Sequence, residues 1–140
     1  MEDLQLLANQ KSIGLNNKIV SDFELYADPE QLLRVFQNLI GNAIANIQAG
    51  RTVTVDAEHL NAMDRLQISD NGPGIDQKVL PHLFQRYFTG HAKQKIGTGL
   101  GLFICRMIIE LHEGTIQVES EVNQGTVFTI TLPQYEREGI

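Results

Sequence analysis

Cysteine is almost missing from this chain: Cys105 stands alone among 140 residues. A single thiol cannot build an internal disulfide framework, and its solitude suits a reducing compartment. Tryptophan is absent, and aromatic residues make up 6% of the chain. No apolar run approaches the roughly 18–20 residues that span a bilayer, and no secretory pattern opens the sequence. A cytoplasmic domain without membrane contact is therefore expected. No Gly-Lys-Ser/Thr follows a glycine-rich stretch, which excludes a P-loop.

Acid is missing from one window. Residues 77–109 hold no Asp or Glu but five cations, Lys78, Arg86, Lys93, Lys95 and Arg106, within a chain of net charge −6. The overall balance argues against nucleic acid as a partner. A basic island in an acidic chain points to an anionic ligand, or to chance in a short window.

What is present reads as one domain with a real core, 42% hydrophobic and 20% charged. A short helix is expected over 3–11, a strand over 23–27 and the longest helix over 28–48. Asp28 stands as its N-cap, Pro29 at its first helical position, Gln31 completes a capping-box pattern and Gly50 ends it. Residues 51–58 and 65–70 alternate as a strand pair. Short helical pieces lead to about residue 88, a polar loop covers 90–98, and a second long helix covers 99–112. The chain closes as a hairpin around Asn123-Gln124-Gly125. This order predicts one sheet covered by helices on one face.

Three stretches carry chemistry. In the long helix, Leu32, Phe36, Leu39, Ile40, Ala43 and Ile47 form an apolar stripe, and Gln31, Asn38, Asn42 and Asn46 run beside it at the edge of the buried face. Neutral oxygen donors in such a row suit a hard cation shared with phosphates. They equally suit asparagines that are solvated or bonded to nearby backbone. In SDNGPGI (69–75), Asp70 ends a strand and could accept hydrogen bonds from an exocyclic amine such as that of adenine. Taken alone, the same stretch reads as a turn. In GTGLGL (97–102), glycines open a helix and expose N–H groups as a phosphate cradle, although glycine-rich loops are weak signals alone.

Their order is more specific than any one of them. Asn-x-x-x-Asn-Ala on a helix, then Asp-x-Gly-x-Gly-Ile, then Leu-Phe and Tyr-Phe, then Gly-x-Gly-Leu-Gly-Leu closely resembles the catalytic, ATP-binding domain of bacterial sensor histidine kinases. That domain belongs to the superfamily that also includes DNA gyrase, Hsp90 and MutL. The resemblance covers about residues 3–133 and extends to the final hairpin. It implies an α/β two-layer sandwich, a mixed and mainly antiparallel sheet with helices on one face, with residues 1–140 as a single catalytic domain.

The resemblance also implies roles. Asn38 and Asn42 match the family's N box, Asn42 as the Mg²⁺ ligand and Asn38 positioning metal and phosphates. Asp70 matches the acid that recognises the adenine amino group, with Gly72, Gly74 and Ile75 beside the base. Leu83, Phe84, Tyr87 and Phe88 resemble the F box at the foot of an ATP lid, here residues 89–96. Gly97, Thr98, Gly99, Leu100, Gly101 and Leu102 match the phosphate-facing G2 box. Asn46, Arg86, Lys93 and Lys95 complete the expected nucleotide contacts. Two positions depart from the pattern: Ala45 stands where many members carry a phosphate-binding Lys, and Thr89 where many carry an Arg.

The implied activity is transfer of the γ-phosphate of Mg·ATP to a histidine on a separate dimerisation and phosphoacceptor domain, within a two-component system whose response regulator is an indirect partner. Neither that domain nor a sensor is found in this sequence, so the chain alone is expected to be a monomer that binds ATP without labelling itself. His112-Glu113 looks superficially like a phosphoacceptor motif, but Gly114 ends the helix there; His112 reads as a cation at a helix C-terminus. His91 reads as a lid residue, and His59 and His82 show no partner in the sequence. Cys105 is expected to be buried and inert, and Phe103 and Met107 to face the core or a partner. The alternatives are a gyrase- or Hsp90-type ATPase, an anti-sigma-type serine kinase and a nucleotide-free docking module. The first two relatives tend to carry a Glu at the position of Asn38, and a carboxamide cannot take a proton from water at neutral pH.

Overall fold

A computed structural model describes residues 2–86 and 101–134. The elements run α1 (Glu2–Gln10), β1 (Gly14–Asn17), α2 (Pro29–Asn46), β2 (Thr52–Leu60), β3 (Met63–Asp70), a 3₁₀ turn (Leu80–His82), α3 (Gly101–Leu111), β4 (Thr115–Glu121) and β5 (Gly125–Pro133). The five strands lie in the order β1-β2-β3-β5-β4, antiparallel except for the parallel pair β1 and β2. This is the mixed, mainly antiparallel sheet of an α/β sandwich.

Alternation along the strands makes the two faces differ. Val53 and Val55 of β2, Leu66 and Ile68 of β3, and Phe128, Ile130 and Leu132 of β5 are buried on one face. They meet Val35, Leu39, Ile40 and Ile44 of α2 and Leu102, Cys105, Ile108 and Ile109 of α3. Each such Leu or Ile withdrawn from water contributes about 1.5–3 kcal/mol. The register places Asp56, Gln67, Thr129 and Gln117 in one row across the other face, which is polar.

Helix α2 differs in detail from the sequence pattern. Val35 and Ile44, outside the expected stripe, are buried because α2 is packed by α3 and α1 as well as by the sheet; Leu32, Phe36 and Ala43 are only partly covered. The Asp28 carboxylate accepts from the N–H of Glu30 (2.9 Å) and Gln31 (3.1 Å), as an N-cap should. The capping box is not closed, because the Asp28 N–H donates to His112 Nε2 (3.1 Å) instead of to the Gln31 side chain. The helix stops at Asn46, with Ile47 as C-cap; Gly50, at φ +88°, turns the chain toward β2. Lys11 Nζ donates to the Ile44 carbonyl (2.7 Å), a cation on the carbonyl end of α2.

The expected strand over 23–27 does not form. The outer edge of β2 is taken by Gly14–Asn17, and Lys18 adds an N–H to the Val55 carbonyl (2.8 Å). GLNN has little strand propensity; burial of the preceding Ile13 and a Gly14 N–H bond to the Arg51 carbonyl (2.9 Å) deliver it to that edge. Residues 23–27 then pack Leu25 and Ala27 against the core and stack Phe23 on the His59 ring, 4.2 Å between centroids.

Candidate functional site

The site begins where β3 ends. Asp70 pairs with Thr126 of β5, and its Oδ1 accepts the Gly72 N–H (2.9 Å). Burial pushes the carboxyl above its usual range, and N–H donors from Gly72 and Thr126 pull it part of the way back. An acid held by backbone donors is fixed in direction while part of its surface still faces outward.

The loop after Asp70 is fastened on three sides. Asn71 Oδ1 accepts the Thr52 N–H (2.8 Å), the Pro73 carbonyl accepts the Asn123 N–H (2.7 Å), and Ser120 Oγ accepts the Ile75 N–H (2.7 Å). Ser120 is itself buried against Thr126 Oγ1 (2.8 Å). Gly74 has φ +79°, and a Cβ there would lie 2.2 Å from the Glu121 carbonyl oxygen; a Cβ on Gly72 would lie 2.3 Å from Ile47 Cγ2. The motif's glycines thus let the loop pass against its own hairpin and helix.

Across from this loop stands the end of α2. Asn42, Ala43, Asn46 and Ile47 line a cleft together with Asp70, Pro73, Gly74, Ile75, Thr126 and Phe128. Its floor is apolar and its polar groups are few and convergent, as in small-molecule sites. Thr126, Phe128 and Pro73 were not singled out in the sequence. The pairing of Thr126 with Asp70 follows only from strand register, which no local pattern displays.

Asn38 lies one turn back along α2, beside the start of α3: a Cβ on Gly101 would sit 3.4 Å from Asn38 Oδ1. Leu102 turns away into the core. Cys105, one turn on, is fully buried, and desolvation pushes its thiol up to about 12, so it is inert as expected. Leu83 is buried, and Phe84 meets Phe128 edge-on at 6.1 Å, anchoring the expected F box beside the cleft floor. The Arg86 guanidinium lies 5.9 Å from the Phe103 ring, and Met107 is exposed. Tyr87, Phe88, Thr89, His91, Lys93, Lys95, Gly97, Thr98, Gly99 and Leu100 lie outside the described residues.

The histidines are settled differently from expectation. His112 Nδ1 donates to the Ile108 carbonyl (2.8 Å) while Nε2 accepts the Asp28 N–H, so the ring is a joint between the end of α3 and the cap of α2. His59 has a partner, the buried Asp64, through Nδ1. His82 closes the 3₁₀ turn, its N–H on the Val79 carbonyl (2.9 Å).

The donor set also bears on metals. Among the described residues no cluster of three His, Cys, Asp or Glu could cage an ion. The cleft offers carboxamide oxygens instead, which fits a cation that takes most of its ligands from phosphate and water. Among the described residues no helix is long and apolar enough to cross a membrane.

The cleft is thus bounded by a strand-end carboxylate on one side and an asparagine-bearing helix on the other. Residues 27–136 match the family described as histidine kinase-, DNA gyrase B- and HSP90-like ATPases, and the chain belongs to that family. It is 40% identical over 112 residues to the sensor protein SrrB of Staphylococcus aureus, covering 78% of this chain and 19% of SrrB. The chain thus spans about a fifth of the length of the curated relatives it matches. The mycobacterial sensor histidine kinase MprB superposes with a TM-score of 0.80 at 26% identity, covering 94% of this chain and 91% of that one. The catalytic domain of the histidine kinase ThkA gives 0.79 at 29% identity, covering 94% and 88%. Full-length ShkA in complex with AMPPNP gives 0.81 at 27% identity, covering 94% of this chain and 28% of that one.

Proposed function

We propose that this domain binds Mg·ATP in the cleft between α2 and the Asp70 loop and delivers the γ-phosphate to a histidine on a separate dimerisation and phosphoacceptor domain. The observation that carries the reading is the placement of Asn42 and Asn46 opposite Asp70 on one cleft, with Gly101 at the start of α3 against Asn38.

Each residue has a task its chemistry suits. Asp70 accepts from the adenine amino group, and the fastened loop with Gly74 and Ile75 confines the ring. Asn42 presents a neutral oxygen to the cation, and Asn38 orients metal and phosphates beside the N-terminus of α3. Mg²⁺, when bound, supplies charge neutralisation on the phosphate oxygens. Phosphoryl transfer asks little more of a protein than positioning and electrostatic support. Asn38 has no basicity to activate water, which favours transfer to an acceptor over hydrolysis. The assignment of Gly72 as a further base contact, of Gly97 to Leu102 as the phosphate cradle, and of Arg86, Lys93 and Lys95 as phosphate partners belongs to the same proposal.

The test is calorimetric titration with AMPPNP, with and without Mg²⁺, of the wild-type chain and Asp70→Asn. Loss of a hydrogen bond to a charged acceptor costs about 1.5–3 kcal/mol, so the variant should bind roughly 10- to 150-fold more weakly while remaining folded. Equal affinities would remove Asp70 from the site. Labelling from [γ-³²P]ATP should appear on an added acceptor domain and not on the chain alone. Rapid ATP turnover indifferent to the acceptor would overturn transfer in favour of an ATPase.

A further inference from the structure

We infer that Asn46 is a positioning residue: it sets which end of the Asn42 carboxamide is available in the cleft. The inference rests on the functional reading above, in which Asn42 is the metal ligand, and deepens it.

The two ends of a carboxamide have nearly the same shape and opposite chemistry, so a cation site built on one needs something to choose the oxygen. Here the choice is traceable to an atom that cannot turn. Asn46 Nδ2 lies 2.8 Å from the backbone carbonyl oxygen of Asn42. A carbonyl oxygen only accepts, so the nitrogen end of Asn46 must be the end placed there. The same nitrogen lies 3.3 Å from the end of the Asn42 side chain. An NH₂ group at that point would face another NH₂ group, so the Asn42 atom there is Oδ1. The peptide carbonyl therefore orients Asn46, and Asn46 orients Asn42. Oδ1 carries two lone pairs, one for Asn46 and one left for a cation.

The spacing of four residues makes this possible, since i and i+4 side chains are neighbours on one helix face. Both residues line the cleft, so the oriented oxygen is at the site and not on a remote surface. Ala45 beside them is exposed and brings no charge of its own to the end of α2. The Asn46-to-Asn42 side-chain bond is long, which makes it a bias on the carboxamide and not a rigid lock.

The test compares the wild-type chain with Asn46→Ala and Asn46→Asp. The readout is the ratio of AMPPNP affinities with and without Mg²⁺, which general weakening of the fold or of nucleotide contacts would not move. Asn46→Ala should lower that ratio by about three- to tenfold, the modest end of supporting-shell effects on metal affinity. Asn46→Asp should lower it at least as far, because a carboxylate cannot donate to either Asn42 oxygen and draws the Asn42 NH₂ toward itself. A higher ratio in Asn46→Asp would make residue 46 a direct cation ligand and overturn the inference. So would an unchanged ratio in Asn46→Ala. A wild-type chain without Mg²⁺-dependent binding would remove the functional reading, and the inference with it. A ligand-free readout separates these failures: in Asn42→Ala the Asn46 Nδ2H₂ resonances should shift, and unmoved resonances would show that the bond does not exist in solution.

Discussion

Strand β3 carries a carboxylate near each end of its inward face, and the two have opposite fates. Asp64 is 1% exposed and accepts from the His59 ring and from Gln134 Nε2 (2.8 Å). Phe23 stacks on that ring, so side chains from three segments close over the acid. Asp70, six residues on, is held by backbone N–H groups and opens on the cleft. Burial alone does not mark a working acid. Side-chain partners close over Asp64, both bonding its Oδ1, and leave a clasp, whereas a backbone N–H holds Asp70 Oδ1 and the residue lines the cleft.

Each end can be broken separately. The largest effect is expected from Gly74→Ala, which combines φ +79° with a Cβ driven against the Glu121 carbonyl. Thermal or urea unfolding should show a loss of about 2–4 kcal/mol, and AMPPNP binding should weaken as the loop is displaced. Asp64→Ala takes the acceptor from His59 and leaves Gln134 Nε2 only the Met63 carbonyl, for about 1–3 kcal/mol of stability, yet should leave AMPPNP affinity of the folded chain unchanged. A loss of binding in that variant would mean the two ends are coupled and the contrast is false.

The smallest effect is a pH dependence. Desolvation raises the Asp70 carboxyl above its ordinary 3.8, so the folded chain holds that proton more tightly than the unfolded one. The stabilising contribution of the protonated group is therefore complete below 3.8 and is lost as pH rises through the raised folded value. Relative to Asp70→Asn, the wild-type chain should gain stability as pH falls through that window. AMPPNP binding should weaken over the same window, since the ionised acid is the better acceptor. A difference in stability between the two proteins that is flat with pH would mean that Asp70 is not desolvated in solution.

Much of this contrast was readable in the sequence at one end and invisible at the other. Asp70 stood out as the end of a strand pattern followed by glycines, but alone that stretch reads as a turn, and only the order of the motifs singled the acid out. Asp64 fell just outside the expected strands and was not singled out, and His59 read as a histidine without partners, because their bond depends on cross-strand register; Gln134, which also reaches Asp64, lies 70 residues away. Distance in sequence hid the rest too. The strand propensity of FELYA lost to the edge already occupied by β1. The capping box predicted at Gln31 lost to His112, which arrives 84 residues after Asp28. Helix periodicity placed α2, but could not foresee that α1 and α3 would bury Val35 and Ile44 on its flanks.

The His112 joint has a mechanical consequence. It fastens the C-terminal end of α3 to the first turn of α2, while the opposite end of α3, at Gly101, lies beside Asn38. A rod pinned at one end magnifies small rotations at the other. Eleven residues of rise put Gly101 about 16 Å from the pin, so a turn of about 4° there carries it about 1 Å. Leu102 and Cys105, buried in the core beside Gly101, hold that end against such a turn. The helix is thereby tethered at both ends, by the His112 ring at one and by Leu102 in the core at the other.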